Sequence, residues 1–301
     1  MLIAVTGATG FLGRPLVDAL LGRGHRVKAL SRSGAAISGA EAGFFEAGKP
    51  LTQGTLDGVD AVIHLAGEPI AQRWSAAYKE RLVRSRTDGT RTVSEAVRGT
   101  QVKVLISASA TGFYGSHGSE ELDESTPSGS DFLAGLCRAW EEAAQPARDA
   151  GVRVVHPRIG VVLHPEGGAL GKMLMPFRMG VGGRLGSGEQ YMSWIHRADL
   201  ISLILFALDH DALNGPVNGT APQPVTNSEF TRALAKALHR PAVLPAPGFA
   251  LKLAMGEVAD VLLTGQKVLP RKALAAGFSF AHPSLEGALT DLLGISGPAS
   301  G

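Results

Sequence analysis

Only one cysteine, Cys137, occurs among the 301 residues, so no internal disulfide can form. A chain without disulfides suits a reducing compartment, and we expect a cytoplasmic location. An excess of either charge is also lacking, because 29 Lys and Arg residues face 27 Asp and Glu residues, giving a net charge of +2. This balance gives no electrostatic reason to expect nucleic acid or a membrane surface as a partner.

Long hydrophobic runs are missing too. The longest apolar run, ISLILFAL at 201–208, is much too short to span a bilayer. The apolar N-terminus has no basic segment, and Arg14 and Asp18 interrupt the stretch that a signal peptide would need. The nine histidines show none of the spacings typical of metal ligands, so we expect no metal site.

The sequence does contain a regular alternation of short apolar segments with helical patterns. Apolar residues three or four positions apart predict helices at 75–97 and from 132 to about 150. Strands are predicted at 2–6, 25–31, 60–65, 102–107 and 152–159. Because these strands are apolar nearly throughout, they indicate a parallel sheet covered by helices on both faces. The predicted fold class is therefore α/β, a doubly wound parallel sheet of the Rossmann type, whose ligands bind beyond the carboxyl ends of the strands.

The amino-acid composition changes near residue 165, where glycine becomes frequent. We assign residues 1–165 to the Rossmann domain, with its sheet completed by 196–220. Residues 166–301 are predicted to form a smaller lobe that covers the substrate, including a small helical domain at 248–295. Within this lobe, Thr226 or Asn227 is expected to cap a helix that runs to His239.

Residues 7–13 read GATGFLG, with Gly7, Gly10 and Gly13 three positions apart. The motif follows a predicted strand and opens a predicted helix, which is the context of a dinucleotide-binding turn. The glycines allow a tight turn and a close approach of the backbone to a pyrophosphate, whose charge then faces the positive end of the helix. The alternative is an ordinary strand-to-helix turn.

The end of the second strand distinguishes between the two nicotinamide cofactors. An NAD-specific site places Asp or Glu there to bind the ribose hydroxyls. This chain has Arg32 at that point, between Ser31 and Ser33. Since a guanidinium group binds phosphate oxygens bidentately, these residues favour NADP(H), with Arg32 on the 2′-phosphate. If Arg32 is instead a solvated surface side chain, it carries no information about the cofactor.

Four further segments carry a resemblance to a known family: DAVIHLAGE at 60–68, SRTDGTRTVSEA at 85–96, LISASATGFYG at 105–115 and RIGVVL at 158–163. Together with the glycine motif, they resemble the extended short-chain dehydrogenases/reductases of the NAD(P)-dependent epimerase/dehydratase group. Arg86 stands where the second segment of that group has asparagine. A narrower subgroup, the YfcH-type epimerase-family proteins, is similar to GEPIAQRWSAAYKERLVRSR, CRAWEEAA, GVGGRLGSGEQYMSWIH and LLTGQKVLPRKALAAGF. In that subgroup the C-terminal tail is a short domain of unknown function.

The resemblance implies a cofactor site at the carboxyl edge of the sheet. The backbone at Leu65–Gly67 would line the adenosine side, and Glu68 and Arg86 would reach the cofactor or a substrate, with exposed ion pairing as their alternative role. The full set of residues expected to bind NADP is Gly7, Thr9, Gly10, Phe11, Leu12, Gly13, Ser31, Arg32, Ser33, Leu65, Ala66, Gly67, Glu68, Arg86, Ser107, Ala108, Arg158 and Val162.

The resemblance implies less about the reaction. The group uses a Tyr-x-x-x-Lys pair, in which the tyrosine is the acid/base and the lysine lowers its pKa. The corresponding stretch here, SDFLAGLCRAWEEAA, contains neither residue type. Only Arg138 could replace the positive charge, and Cys137 is a poor substitute for the tyrosine.

Three residues outside that stretch are predicted to be catalytic: Ser109, Tyr114 and His196. Ser109 lies near the position of the group's catalytic serine or threonine, but it could equally end a strand. Tyr114 would sit at the carboxyl edge of the sheet near the nicotinamide, or would pack in the core. His196 belongs to QYMSWIH at 190–196, which would wall a cleft for an apolar or ring substrate, or would hold a buried tryptophan with a capping histidine.

Two functions therefore remain open. One is an NADP-dependent oxidoreductase or epimerase that acts on a small hydroxylated or carbonyl substrate. The other is a non-catalytic NADPH-binding regulator or sensor, which the missing Tyr/Lys pair favours. Besides a small molecule, the one partner considered is a second copy of the chain in a homodimer.

Overall fold

The computed structural model describes residues 1–294. Residues 295–301, which include the end of the predicted C-terminal domain, lie outside the described residues. The strands, numbered in chain order, are β1 Leu2–Thr6, β2 Arg26–Ser31, β3 Glu41–Phe44, β4 Ala61–His64, β5 Val104–Ser107, β6 Ser109–Ala110, β7 Glu121–Leu122, β8 Arg153–Ile159, β9 Val161–His164, β10 Tyr191–Met192, β11 Trp194–His196, β12 Gly215–Gly219, β13 Val225–Thr226 and β14 Lys267–Val268. The helices are α1 Gly13–Gly22, α2 Ala76–Ala96, α3 Phe132–Glu142, α4 Gln145–Asp149, α5 Gly168–Arg178, α6 Arg197–Asp209, α7 Asn227–Leu238, α8 Gly248–Met255, α9 Ala259–Leu263, α10 Arg271–Ala275 and α11 Leu285–Leu292, with 3-10 turns at Thr111–Tyr114 and Gly256–Val258.

The central sheet is parallel throughout. Its strand order is β12-β8-β5-β4-β1-β2-β3, and β6 continues alongside β8 beyond the end of β5. The chain starts in the middle of the sheet, winds outward through β2 and β3, and then returns to build the other half from β4 onward. This order is the doubly wound Rossmann arrangement, so the predicted fold class is confirmed.

Two layers of helices cover the sheet, because its strands are apolar on both faces. On one face α1 and α6 pack on strand residues, and on the other face α2 and α4 do so. The first face contributes Val5, Ile63, Ile106, Leu16 and Ile204 to its core, and the second contributes Ala4, Val62, Leu105, Val93 and Ala147. The predicted helix from 132 to about 150 is two helices, α3 and α4, and Pro146 lies in the first turn of the second.

A separate apolar cluster forms beyond the sheet. Its buried members include one large side chain from each of five elements: Leu163 on β9, Phe177 on α5, Trp194 on β11, Phe230 on α7 and Leu289 on α11. Thr226 caps α7 through a capping box with Glu229, and the helix ends at His239 in the left-handed conformation (φ 52°). The division into domains at residue 165 stays a prediction. Among residues 1–294, no helix is both long enough and apolar enough to cross a membrane.

Candidate cofactor and substrate site

The loops that follow the central strands meet at one edge of the sheet. Thr6 pairs in register with His64, and His64 pairs with Ser107, so β1, β4 and β5 end side by side. The glycine turn after β1 also touches the loop after β4, because a Cβ added to Gly7 would lie 2.9 Å from the backbone nitrogen of Ala66. This is the carboxyl edge of the sheet, where ligands of doubly wound proteins bind.

The glycine turn leaves the start of α1 open. Gly7 has a positive φ of 69°, and its carbonyl accepts a hydrogen bond from the Gly10 N–H at 2.9 Å, which closes the turn. The N-terminus of α1 has no side-chain cap at Leu12 and no acidic residue in its first turn. Uncapped N–H groups at a positive helix end are suited to a phosphate. Thr9 and Gly10 are exposed, whereas Phe11 is half-buried and packs against Gly167 and Gly168.

Arg32 reaches across the groove between the loops after β2 and β4. Its guanidinium lies 3.3 Å from the Glu68 carboxylate, and its side chain is 80% exposed. Ser33 beside it is also exposed, whereas Ser31 is buried and accepts a hydrogen bond from the Ala35 N–H at 3.2 Å. Arg32 and Ser33 are therefore the residues at this strand end that are accessible to a 2′-phosphate.

The remaining predicted cofactor residues lie around the same edge at different depths. Ser107, Ala108 and Arg158 are buried, Leu65, Ala66 and Val162 are half-buried, and Gly67 is exposed. A Cβ added to Gly67 would lie 3.6 Å from the Arg86 guanidinium carbon, so the loop after β4 rests on α2 at this point.

A cleft of about 730 Å³ opens between this edge and the residues after 165. Its walls include Ser109–Gly112 and one face of α3, which come from the Rossmann side. The opposite wall is formed by Gln190–Ser193 and by part of the segment 257–266. Among the three residues predicted to be catalytic, Ser109 lines this cleft, and neither Tyr114 nor His196 is among the residues that line it.

Ser109 takes part in a buried chain of hydrogen bonds. Its hydroxyl donates to the Glu141 carboxylate at 2.7 Å, and Arg158 grips the same carboxylate through Nε and Nη2 at 2.8 and 2.9 Å. Burial alone would raise the pKa of Glu141, but the hydrogen bonds and charge of Arg158 outweigh it and lower the pKa. Glu141 is thus a carboxylate at neutral pH, and the Ser109 oxygen keeps its lone pairs available to accept hydrogen bonds.

Tyr114 lies behind Arg158 and is fully buried. Its hydroxyl donates to Asn218 at 2.7 Å and accepts from Arg158 at 3.0 Å. Burial is the main cause that raises the pKa of Tyr114 to about 12. The contacts of Tyr114 therefore match the alternative role, packing in the core. Its catalytic role stays a prediction.

The segment QYMSWIH divides its side chains between two environments. Gln190 and Tyr191 line the cleft, whereas Trp194 is fully buried and donates to the Gln223 carbonyl at 2.8 Å. His196 is also buried, and its Nδ1 accepts from the Ala198 N–H at 3.1 Å as the cap of α6. Trp194 and His196 thus match the alternative interpretation of this segment, a buried tryptophan with a capping histidine.

His196, His282 and Asp291 place potential metal-ligand atoms within 4.8 Å of one another. The His196 Nδ1 accepts a backbone N–H, so the neutral ring carries its proton on Nε2, which faces the Asp291 carboxylate at 3.2 Å. A nitrogen that carries a proton cannot bind a metal ion. This nitrogen therefore faces Asp291 without a hydrogen bond of good geometry, and its proton does not fit a metal site.

Several side chains that line the cleft or bind one of its lining residues were not predicted from the sequence. Glu141 and Trp140 lie in CRAWEEAA, and Trp74 and Phe132 form an edge-to-face aromatic pair 5.4 Å apart. The spacing of Cys137 and Glu141 matches that of the family's Tyr and Lys, which was the available signal. Burial raises the pKa of Cys137 to about 12, so its thiol stays protonated at neutral pH.

This fold and site define a dinucleotide-binding protein of the short-chain dehydrogenase/reductase type. Residues 3–218 match the model of the NAD dependent epimerase/dehydratase family, and residues 246–292 match DUF1731, a domain of unknown function. The chain belongs to the NAD dependent epimerase/dehydratase family, which confirms the resemblance seen in its motifs.

Relatives of the chain are similar over nearly its whole length. The epimerase family protein Mb2239 of Mycobacterium bovis is 44% identical over 95% of this chain and 96% of its own length. The epimerase family protein SDR39U1 homolog, chloroplastic, of Arabidopsis thaliana is 43% identical over 97% of this chain and 87% of its own length. The crystal structure of human epimerase family protein SDR39U1 with NADPH is 35% identical, has a TM-score of 0.88, and is matched over 98% of this chain and 100% of that one.

Proposed function

We propose that the protein is an NADP(H)-dependent oxidoreductase that acts on a small hydroxylated or carbonyl substrate in the cleft. The observation that carries this proposal is that two sites share one edge of the sheet. The open glycine turn follows β1, the cleft wall at 109–112 follows β5, and only β4 lies between these two strands. The human relative crystallised with NADPH supports the choice of cofactor.

The residues present fit NADP(H) on physical grounds. Gly7 and Gly10 add no side chains to the turn, and no side chain caps the N–H groups at the start of α1. At the far end of the groove, Arg32 supplies an exposed cation for the 2′-phosphate, and Glu68 is its partner in the structure described. NADP(H), when bound, supplies or accepts a hydride at its nicotinamide ring.

Ser109 and Glu141 give the chain a proton route without the Tyr/Lys pair. Because the Ser109 hydroxyl donates its proton to Glu141, the Ser109 oxygen can accept the proton of a substrate hydroxyl while its own passes to the carboxylate. If NADP⁺ were bound to accept the hydride of the same carbon, the hydroxyl would become a carbonyl.

A second candidate is a non-catalytic NADPH-binding regulator. The observation that favours it lies on α3, where the protonated Cys137 and the ion-paired Glu141 stand at the spacing of the family's acid/base pair. In this case the cleft would bind an effector rather than a substrate. Absence of turnover with a broad panel of alcohols and carbonyls, despite tight NADPH binding, would favour the regulator.

The cofactor assignment is tested with the Arg32→Ala variant in calorimetric titrations. NADPH should bind about tenfold or more weakly, because a charge-assisted contact to the 2′-phosphate is lost, and NADH should change little. Glu68→Gln should tighten NADPH, since a carboxylate beside the phosphate is removed. Arg26→Ala is the matched control, because Arg26 is an exposed, ion-paired arginine at the opposite end of the same strand. An equal loss for both cofactors in Arg32→Ala would refute the role of Arg32.

Other properties of the protein stay predictions. A cytoplasmic location was inferred from cysteine usage and from the apolar runs of the sequence, and the Arabidopsis relative is named as chloroplastic. A homodimer is likewise a prediction that sedimentation of the pure protein would test.

A further inference from the structure

Arg86 is a buried cation without an anionic partner in the part of the chain described. Its Nη2 donates to the Glu68 carbonyl at 2.9 Å and its Nη1 to the Leu82 carbonyl at 3.3 Å. No carboxylate of residues 1–294 pairs with it, whereas Arg158, the other buried arginine, is gripped by Glu141. A buried charge without an opposite charge is unfavourable, and burial accordingly lowers the pKa of Arg86.

Trp140 adds a second donor beside it. The Arg86 guanidinium carbon lies 5.0 Å from the centre of the Trp140 ring, and both side chains line the cleft. The Trp140 Nε1–H is buried and has no acceptor among the described residues. A cation without an anionic partner, next to an N–H donor without an acceptor, is suited to a ligand that brings oxygen atoms with negative charge.

The remaining walls of the cleft are mostly apolar. Trp74, Phe132, Leu136, Met173 and Met192 contribute rings and long aliphatic groups. The acidic side chains on the lining already have protein partners. Glu257 pairs with Lys79, Asp260 pairs with Lys252, and Asp131 caps α3. In the described lining, Arg86 is thus the charged side chain that has no partner of opposite charge and that a ligand could neutralise.

A nucleotide sugar matches this lining poorly. Its diphosphate carries two negative charges, which more than one cation would be needed to neutralise. Within the described lining there is one arginine and no lysine. A single cation inside an aromatic and aliphatic wall is suited to a compound with one anionic group and an apolar body.

We propose that the cleft takes an apolar, ring-containing carboxylate, with the carboxylate bound by Arg86 and the Nε1–H of Trp140. This proposal rests on the proposed function, since the group to be oxidised or reduced would lie at Ser109, on the same cleft wall. It narrows the substrate class from small hydroxylated or carbonyl compounds in general to hydroxy or oxo acids with an apolar ring.

The test compares two matched probes by calorimetry on the NADP⁺-saturated protein. The carboxylate 2-naphthoate should bind at least tenfold more tightly than its neutral analogue 2-naphthamide. Arg86→Gln should abolish this preference, Arg86→Lys should retain part of it, and Trp140→Phe should reduce it. Arg81→Gln is the matched control, because Arg81 is an exposed arginine on the same helix that stacks on Tyr78 instead. If Arg86→Gln does not fold, Arg86→Lys and Trp140→Phe decide the outcome.

Several results would overturn the proposal. Equal binding of the two probes would do so, as would an unchanged preference in Arg86→Gln or UDP-glucose displacing 2-naphthoate at lower concentration. Loss of NADP⁺ binding in Arg86→Gln with the naphthoate preference intact would make Arg86 a cofactor residue instead. If the native protein binds no NADP(H), the proposed function fails, and the same two probes titrated without cofactor still decide the carboxylate site.

Discussion

The Tyr114 hydroxyl connects two strands of the central sheet. It donates to Asn218 on β12 and accepts from Arg158 on β8, and Arg158 in turn holds Glu141 on α3. All of these groups are buried or nearly so, hence each depends on its protein partners for hydrogen bonds. A pKa raised to about 12 keeps the phenol protonated, so it remains a donor to Asn218 at any physiological pH.

We therefore expect Tyr114→Phe to lower stability rather than to remove a proton donor from the cleft. The free energy of unfolding in urea should fall by about 1–3 kcal/mol, because Asn218 and Arg158 each lose a buried partner. Tyr191→Phe is the control, since Tyr191 is a half-buried tyrosine of the cleft wall, and its loss of a hydroxyl should cost less than about 0.5 kcal/mol. Unchanged stability of Tyr114→Phe together with lost hydride transfer would support the catalytic prediction for Tyr114 instead.

Single residues were predicted best where a motif fixes their place. Gly7, Gly10 and Arg32 follow strand ends, so their position at the carboxyl edge could be read from the alternation of strands and helices. Glu141 could not be found this way. Its role depends on Ser109 and Arg158, which come from other segments, and helix periodicity does not show which acid on α3 faces them.

The glycines of the turn that joins β1 to α1 are needed for different reasons. A Cβ on Gly13 would lie 2.1 Å from the Gly7 carbonyl oxygen and 2.7 Å from the Ala8 Cα, so helix and turn are in backbone contact there. A Cβ on Gly10 would meet only the Gly7 carbonyl oxygen, at 3.1 Å, and the residue is exposed with an ordinary φ. Packing thus requires Gly13, while Gly10 keeps the surface of the turn clear.

This difference predicts opposite phenotypes for two substitutions. Gly10→Val should stay folded and should bind neither NADPH nor NADH measurably, because its branched side chain occupies the space above the turn. Gly13→Ala should be destabilised by about 1–3 kcal/mol, since backbone atoms must shift. Thermal unfolding and cofactor fluorescence titrations of both variants check this. Retained affinity in a folded Gly10→Val protein would contradict the phosphate-loop assignment.

Among whole elements, those with strong periodicity were predicted within a few residues. β1 was predicted at its observed bounds, and α2 begins after Ser75, whose side chain caps it. β3 was missed because an edge strand needs no apolar run, and three of its four residues are exposed. α5 was missed because its glycines and Pro176 disfavour a helix locally. The helix is stabilised instead by Leu170, Leu174 and Phe177, which are buried in the apolar cluster beyond the sheet.

The walls of the cleft come from parts of the chain that are far apart in sequence. Ser109 and α3 come from the first half of the chain. The fold after residue 165 brings residues 190–193, Leu262 and residues 264–266 opposite them. Ser193 shows how closely these parts are joined, since its hydroxyl donates to the Gln266 carbonyl at 2.6 Å and accepts from the Val268 N–H at 2.8 Å. Such long-range contacts are set by tertiary packing, so the aromatic wall and the Arg86–Trp140 pair lie beyond what local sequence patterns predict.

The folded molecule also buries two neutral histidines at the carboxyl edge of its sheet. Burial lowers the pKa of His64 to about 3 and is the main cause that lowers that of His156 to about 4, against 6.5 in an exposed histidine. Below pH 6.5 the unfolded chain binds protons that the folded protein does not, so stability falls as the pH drops. Each imidazole removes up to about 1.4 kcal/mol per pH unit between pH 6.5 and its folded pKa.

Urea unfolding at pH 7.5, 6.5, 5.5 and 5.0 should therefore show a steady loss of stability below pH 6.5. His64→Asn should be less stable than the native protein at pH 7.5, because the His64 contact with Thr6 is altered, but its stability should fall less steeply with acid. His239→Asn is the control, since His239 is exposed at the left-handed end of α7, where asparagine is well tolerated, and it should keep the native slope. If His64→Asn loses stability between pH 6.5 and 5.0 as steeply as the native protein, His64 is not one of the groups that make this fold sensitive to acid.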